Sequence, residues 1–303
     1  MQVYYMDPLS KLLGPIGLGC VTFGREIGKQ EAFRMMDHAM ARGIRFFDTA
    51  AAYGSGNSEL IIGQWLRSRR GALDRVVVAS KALPPFDKKT LEGSVEGTLR
   101  RLRLDSLDLL YLHRWDESLR SPEAVEALEQ LIRSGKVRML GASNFNASQL
   151  AELLEVQREG GYTAVRSVQN NRNLAVDEVD RPLGQLIEAN RIALVTYSPL
   201  GAGFLTGKYD THIPPASRFS IIPGHQAIYF QTVAMRRAAH LREVALKTGR
   251  TAVQLALAWA LHQPDAATVL VGGRTPKHID QALDALALDD PALMAQLTEE
   301  APC

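Results

Sequence analysis

Residues 75–114 read RVVVASKALPPFDKKTLEGSVEGTLRRLRLDSLDLLYLHR, with an apolar run near each end. The runs at residues 76–79 and 109–112 are continuously apolar, whereas residues 88–103 between them have the spacing of a helix. Strands buried on both faces have this composition, and they occur in parallel sheets whose strands are joined by helices. The stretch therefore predicts a strand–helix–strand unit of a parallel α/β fold.

The same alternation continues in both directions along the chain. We predict strands at residues 16–23, 44–49, 75–81, 107–114, 137–143, 164–170, 192–198 and 267–272. Helices are predicted at residues 29–42, 58–69, 88–103, 122–134, 147–158, 182–190, 232–247, 252–262 and 276–286. Eight β/α units without a domain break favour an α/β fold, a single-domain (β/α)8 TIM barrel over residues 1–303. A doubly wound open sheet is the alternative.

Composition and charge exclude several classes of protein. The 303 residues include 35 basic and 33 acidic side chains, so no basic surface indicates nucleic-acid binding. Apolar runs are shorter than a membrane span, and residues 1–10 do not resemble a signal peptide. Two cysteines, Cys20 and Cys303, give no disulfide framework, and the histidines have no metal-ligand spacing. We expect a cytoplasmic protein without a metal, a membrane or a nucleic-acid partner; its oligomeric state is not readable.

Four chemically active side chains follow consecutive predicted strands. Asp48 ends the second strand, Tyr53 lies in the next loop, Lys81 ends the third strand and His113 ends the fourth. Each alone has an ordinary explanation, such as a turn cap for Asp48 or a core histidine for His113. Because the carboxyl ends of barrel strands build active sites, the four together predict a catalytic site at the barrel mouth.

These residue types suit proton transfer to an oxygen that gains negative charge. A free tyrosine has a pKa of about 10, and the ammonium of Lys81 is expected to lower the pKa of Tyr53. Asp48 would hold Lys81 in place and protonated, and His113 would hydrogen-bond the substrate oxygen. The four side chains supply no hydride, so the site requires a cofactor.

Motifs in chain order resemble those of the aldo-keto reductase family. They are GIRFFDTA (43–50) with Tyr53-Gly54 and Ser58-Glu59, Ser80-Lys81, DLLYLH (108–113), GKVR (135–138), GASNF (141–145), VQN (168–170), YSPLG (197–201) and GGRTP (272–276). The resemblance covers nearly the whole chain. It implies reduction of an aldehyde or ketone by NADPH, with Tyr53 as general acid and a small carbonyl or sugar compound as substrate. Two other functions stay open: an NAD(P)+-dependent sugar or polyol dehydrogenase, and a cofactor-binding regulatory subunit.

The resemblance also implies contacts with the nicotinamide end of the cofactor. Ser143, Asn144 and Gln169 match positions that hydrogen-bond the carboxamide. Tyr197 matches the aromatic residue that stacks on the nicotinamide ring.

At the phosphate end, residues 201–230 have no clear periodicity, which is typical of a binding loop after strand seven. The residues that the resemblance places along the pyrophosphate are Ser198, Leu200, Gly201 and Lys208. Residues 201–207, GAGFLTG, miss the dinucleotide fingerprint by one position, so they do not support a Rossmann fold. After Gly273, Arg274 matches the residue that binds the adenosine 2′-phosphate, a role that suits a guanidinium.

The chain departs from the family at the adenine end and leaves the substrate pocket open to two interpretations. Lys277, His278, Gln281 and Ala282 stand where relatives usually carry Glu-Gln and Glu-Asn pairs. Because Arg274 matches the 2′-phosphate residue, NADPH/NADP+ is expected. The departures leave NADH as the alternative. Phe23 ends the first predicted strand and Trp115 follows the fourth, where they would either line the substrate pocket or pack at the rim. Cys20 is interpreted as a packed apolar side chain.

Overall fold

Parallel strands close into a barrel in the computed structural model, which describes residues 13–209, 212–215 and 217–299. The eight strands of this described part are β1 Ile16–Gly19, β2 Phe46–Asp48, β3 Val77–Ala82, β4 Leu109–Leu112, β5 Leu140–Ser143, β6 Ser167–Asn171, β7 Ala193–Tyr197 and β8 Ala266–Val271. Each pairs with the next in chain order, and β8 pairs with β1 through Ile16 and Val269. The predicted (β/α)8 barrel is confirmed, and the open sheet is wrong because the edges join.

Helices surround the barrel. In the described residues they are α1 Lys29–Ala41, α2 Asn57–Ser68, α3 Lys88–Leu102, α4 Pro122–Arg133, α5 Ala147–Glu159, α6 Arg181–Ala189, α7 Arg218–Ile221, α8 Gln226–Tyr229, α9 Thr232–Thr248, α10 Ala252–Leu261, α11 Lys277–Leu286 and α12 Pro291–Thr298. None of these helices has the length and apolarity needed to cross a membrane. The predictions for residues 1–10 and Cys303 concern residues outside the described ranges.

Side chains fill the inside of the barrel between the described strands. Phe46, Leu109, Tyr111 and Leu270 belong to one fully packed cluster. The Tyr111 hydroxyl and Ser167 Oγ lie 2.7 Å apart in a hydrogen bond within this core. Successive residues of a strand point to opposite faces, so the inward series Phe46–Asp48 and Leu109–Tyr111–His113 continue from the core to the mouth. The core therefore leaves the carboxyl ends of the strands as the place for a site.

A helix that was not predicted follows α11. Helix α12 begins where the Asp290 side chain accepts a hydrogen bond from the Leu293 amide. It is tied to α10 by Trp259, whose Nε1 donates to Thr298 Oγ1 at 2.8 Å. An aspartate followed by a proline is a common helix start, so this helix had a signal that the sequence interpretation missed.

Candidate active site

Lys81 brings two of the predicted catalytic residues together. Its Nζ lies 2.6 Å from Asp48 Oδ2 and 3.3 Å from Tyr53 Oη, and it also donates to the Thr49 carbonyl at 2.9 Å. Asp48 and Lys81 are 2% and 1% exposed, so their charges are compensated by each other rather than by water. The lysine therefore has a fixed position between a carboxylate and a phenol.

His113, the residue that follows β4, is the fourth member of the predicted catalytic group. Its ring meets the Tyr53 ring edge-on, with centroids 6.0 Å apart. Burial, assisted by the positive charges of Lys81 and Arg114, lowers the pKa of His113 to about 3. Its Nδ1 is buried without a hydrogen-bond partner in the structure. The imidazole is thus neutral at neutral pH, and it can act as a hydrogen-bond donor without carrying charge.

The expected direction of the Tyr53 pKa shift is corrected by the structure. Burial raises the pKa of Tyr53, and this outweighs the lowering effect of the Lys81 charge. At Lys81 the balance is the opposite: burial lowers its pKa, but the attraction of Asp48 and Tyr53 more than compensates, so the net shift is upward. The phenol is protonated and the amine is charged around neutrality, which is a state ready to donate a proton.

Tyr53 owes its position to an unusual turn. Residues Tyr53–Gly56 form a 3-10 turn in which Gly54, Ser55 and Gly56 have φ values of 56°, 55° and 87°. A Cβ on Gly54 would lie 3.2 Å from the Gly24 carbonyl oxygen, so the turn packs closely against the loop after β1. Since a non-glycine residue such as Ser55 is strained in this conformation, outside contacts must hold the turn.

The predicted nicotinamide residues lie next to the catalytic group. Gln169 Nε2 donates to Asp48 Oδ1 at 2.9 Å, and Asn144 Nδ2 donates to the His113 carbonyl at 2.8 Å and to Ser143 Oγ at 3.2 Å. Tyr197, the last residue of β7, donates its hydroxyl proton to Asn144 Oδ1 at 2.6 Å. The structure therefore brings together polar groups and one aromatic ring from β5, β6 and β7 beside Tyr53.

Left-handed backbone follows β7 at the predicted phosphate end. Ser198, Gly201, Ala202 and Gly203 have φ values of 57°, 57°, 56° and 92°. A Cβ on Gly203 would lie 2.8 Å from Lys208 Nζ, so the ammonium lies directly against the turn. Leu200, the residue before the turn, is partly buried against the core. Turns of this kind direct backbone N–H groups into a concave surface that suits anions.

The loop after β8 contacts the loop after β1. Thr22 Oγ1 donates to the Gly273 carbonyl at 2.9 Å, and Arg274 is exposed. At the departures from the family pattern, His278 packs against Gly273, and Lys277 is exposed. Ala282 is fully buried on α11, and its methyl group offers no polar contact to a ligand.

Of the two predicted pocket residues, only Trp115 lies near the surface. It is partly buried, packs edge-on against Phe145 at a 5.5 Å centroid distance, and donates to Glu117 Oε1 at 3.0 Å. Phe23 is fully buried in the hydrophobic core and exposes no wall to a pocket. Cys20 is also fully buried, and burial raises the pKa of its thiol, which confirms the interpretation of a packed side chain.

The loop after β7 contains a packed unit that the sequence interpretation missed. Phe219 is fully buried, and its ring centroid lies 4.6 Å from that of Tyr209, 5.1 Å from Phe230 and 5.7 Å from Tyr229. Phe204 joins the same group through Phe230 at 5.4 Å. The concentration of aromatic residues in a segment without periodicity was the signal that could have revealed this aromatic cluster.

One ion pair connects that loop to the loop after β1. Glu26, whose side chain is 3% exposed, accepts hydrogen bonds from Arg25 at 2.7 Å and from Arg218 at 2.5 Å. This pair therefore holds the two loops together.

Comparison with known proteins agrees with this architecture. The model of the Aldo/keto reductase family matches residues 15–298. Protein tas of Escherichia coli (strain K12) is 26% identical over 324 residues, covering 94% of this chain and 93% of that protein. Two relatives named "Probable voltage-gated potassium channel subunit beta" are 29% identical (Oryza sativa subsp. japonica) and 30% identical (Arabidopsis thaliana). They cover 91% and 92% of this chain, and 89% and 90% of their own lengths.

The family match supports an oxidoreductase. It extends across the barrel from β1 to α12, and it includes Asp48, Lys81 and His113. The chain belongs to the aldo/keto reductase family.

Proposed function

We propose that the protein reduces an aldehyde or ketone to an alcohol with NADPH. The observation that carries this proposal is the position of Lys81 Nζ, in contact with both the Asp48 carboxylate and the Tyr53 hydroxyl. His113 lies beside the phenol as a neutral imidazole. A phenol held against an ammonium, with a second hydrogen-bond donor nearby, suits the protonation of an oxygen that becomes an alkoxide.

Each residue has one part in the reaction. NADPH, when bound, supplies the hydride that adds to the carbonyl carbon. Tyr53 gives its hydroxyl proton to the carbonyl oxygen, and the positive charge of Lys81 stabilises the phenolate that is left. Asp48 keeps Lys81 charged and oriented, and His113 donates a hydrogen bond that holds the oxygen in line with the phenol.

The residues at the mouth fit a nicotinamide nucleotide along one path. Ser143, Asn144 and Gln169 offer hydroxyl and amide groups for the carboxamide, and Tyr197 offers a ring for stacking. Farther along, the left-handed turn at Gly201–Thr206 with Lys208 suits the pyrophosphate. The exposed Arg274 suits the 2′-phosphate, which favours NADPH over NADH.

Parallel titration with NADPH and NADH tests the cofactor part of the proposal. Nicotinamide fluorescence measures binding of each nucleotide to the purified protein, and a panel of aldehydes and ketones is then screened for NADPH oxidation. We expect tighter binding of NADPH and turnover of carbonyl compounds. Preference for NADH with turnover only of alcohols would favour the dehydrogenase instead.

A second candidate is a cofactor-binding subunit of a larger assembly. The similarity to two proteins named as potassium channel beta subunits favours it. Such a subunit would bind NADPH tightly, yet it would turn over carbonyl compounds slowly or not at all. The same titration and screen therefore separate the two candidates.

A further inference from the structure

Behind the catalytic group lies an ion pair with a buried carboxylate, and the proposed chemistry does not use it. Glu59, in the first turn of α2, is fully buried. Its Oε2 accepts from Arg101 Nε at 2.6 Å, and its Oε1 accepts from Ser80 Oγ at 2.6 Å. Burying a carboxylate is costly unless it is paired and hydrogen-bonded, and each oxygen of Glu59 has a donor. The arrangement therefore joins α3, α2 and β3 in one network.

This network ends at the residue next to Lys81. Ser80 and Lys81 are consecutive on β3, so their side chains point to opposite sides of the strand. Ser80 points outward to Glu59, and Lys81 points inward to Asp48. The strand is consequently fixed from the outside at the position where it presents the catalytic amine.

The same arginine also supports the turn that carries Tyr53. A Cβ on Gly56, the last residue of the turn, would lie 2.9 Å from Arg101 Cδ, and one on Gly97 would lie 3.0 Å from Arg101 Nη1. Two glycines thus form a slot for the Arg101 side chain. Gly56 has a φ of 87°, and its neighbours Gly54 and Ser55 are also left-handed, so the turn depends on such outside contacts.

We infer that Glu59 and Arg101 are positioning residues, which hold the Tyr53 turn and the Lys81 strand so that the phenol and the amine stay in contact. The inference rests on the proposed function, because it assigns a purpose to that contact. Neither residue touches the reacting atoms; Arg101 acts through Gly56, and Glu59 acts through Ser80. Loss of the pair lets the turn move, and a shift of about 1 Å at a reacting group costs roughly a hundredfold in rate.

Arg101→Met tests the inference, because methionine keeps the apolar stem in the slot but loses the charge. We expect kcat to fall roughly tenfold to a hundredfold, with nicotinamide affinity unchanged. Arg101→Lys, which can still pair with Glu59, should restore most of kcat. Arg133→Met is the matched control, since it breaks the Arg133–Glu129 pair on α4, with Nε and Oε1 at 3.0 Å, away from the turn. It should leave kcat unchanged.

A second readout does not depend on turnover. The near-ultraviolet absorbance change on raising pH, compared between each protein and its Tyr53→Phe derivative, isolates the ionisation of Tyr53. Because burial is the main cause of its raised pKa, a loosened turn should bring the pKa of Tyr53 down toward its ordinary value in Arg101→Met. Glu59→Gln, which keeps the size of the side chain, should act in the same direction if Arg101→Met does not fold.

The two readouts separate failure of the inference from failure of the proposed function. Absence of turnover in the unaltered protein would reject the reductase, while the absorbance titration would still report on the turn. An unchanged pKa of Tyr53 with unchanged kcat in Arg101→Met and Glu59→Gln would overturn the positioning role. A lower melting temperature with both readouts unchanged would also overturn it, since that is the behaviour of a purely structural pair.

Discussion

At the scale of single residues, burial and charge act in opposite directions on Tyr53. Burial keeps the phenol protonated, and Lys81 stabilises the anion that forms once the proton has left. An acid needs both properties, because it must hold its proton in the resting state and release it during the reaction. The contact of 3.3 Å between Lys81 Nζ and Tyr53 Oη helps the phenol to release its proton during the reaction. It does not remove the proton from the resting phenol, because burial outweighs the charge of Lys81.

Tyr53→Phe should therefore abolish turnover while leaving the nicotinamide site intact. We expect kcat to fall by about a hundredfold or more, the usual contribution of a positioned acid. Cofactor binding, measured by fluorescence titration, should stay within about twofold, a change of less than 0.5 kcal/mol. Tyr162→Phe, at a tyrosine in the loop before β6, controls for the substitution itself. Retention of most of kcat would show that another group donates the proton.

Arg274 carries the expected preference for NADPH. Arg274→Ala should weaken NADPH binding by roughly tenfold to a hundredfold, since a charge-assisted hydrogen bond contributes about 1.5–3 kcal/mol. NADH binding should change little because NADH has no 2′-phosphate. Lys277→Ala, at the exposed residue three positions later, measures the effect of nearby positive charge alone. Equal weakening of both nucleotides by Arg274→Ala would reject the phosphate contact.

At the scale of elements, the order of strands and helices was predictable, but the ends of the strands were not. The run at residues 107–114 is apolar enough to predict one strand, yet β4 covers only Leu109–Leu112. Leu107 still pairs with Val137 as an isolated bridge outside the strand. Apolar residues in a run indicate that their side chains are buried. The limits of a strand depend instead on which backbone groups hydrogen-bond to a neighbouring strand. That pairing is a tertiary property.

The candidate site was predictable to a similar extent. The carboxyl ends of strands indicated Asp48, Lys81 and His113, because polar residues there interrupt apolar runs. The partners of Glu59 were not predictable, since Arg101 is 42 residues away along the chain. The net direction of the Tyr53 pKa shift was also missed, because a sequence shows the neighbouring charge but not the depth of burial.

The aromatic cluster after β7 should unfold as a local unit. Phe219→Ala removes the ring that contacts Tyr209, Tyr229 and Phe230, and a buried Phe→Ala change typically costs about 3–5 kcal/mol. We expect faster proteolysis within residues 201–230 and weaker NADPH binding, with little change in the cleavage of the barrel helices. Leu246→Ala, at a side chain that is 84% exposed, is the control. Cleavage spread over the whole chain would indicate that the cluster is part of the global core.

At the scale of the whole molecule, the packed interior of the barrel stabilises the fold, and the mouth of the barrel carries the candidate catalytic residues. Phe46 and Tyr111 fill the interior below the mouth, and Asp48 and His113 follow them on the same inward faces. The site is therefore built on strands whose lower halves are fixed by packing. The cost of this arrangement is that ionisable groups are drawn into the edge of the core, where their protonation states are linked to folding.

His113 makes this linkage measurable. Its pKa is about 3 in the folded protein and close to 6.5 when unfolded, so between these values the unfolded chain binds the extra proton. The stability that depends on a neutral His113 is fully present above the unfolded pKa and is lost as the pH falls below it. At about pH 5 the loss attributable to this residue should reach up to about 2 kcal/mol. His113→Gln, which cannot take up a proton, should lose correspondingly less stability between about pH 7 and pH 5 in urea unfolding. Parallel losses in the two proteins would mean that His113 remains solvated enough to ionise in the folded state, and the same result would remove the argument for a neutral donor beside Tyr53.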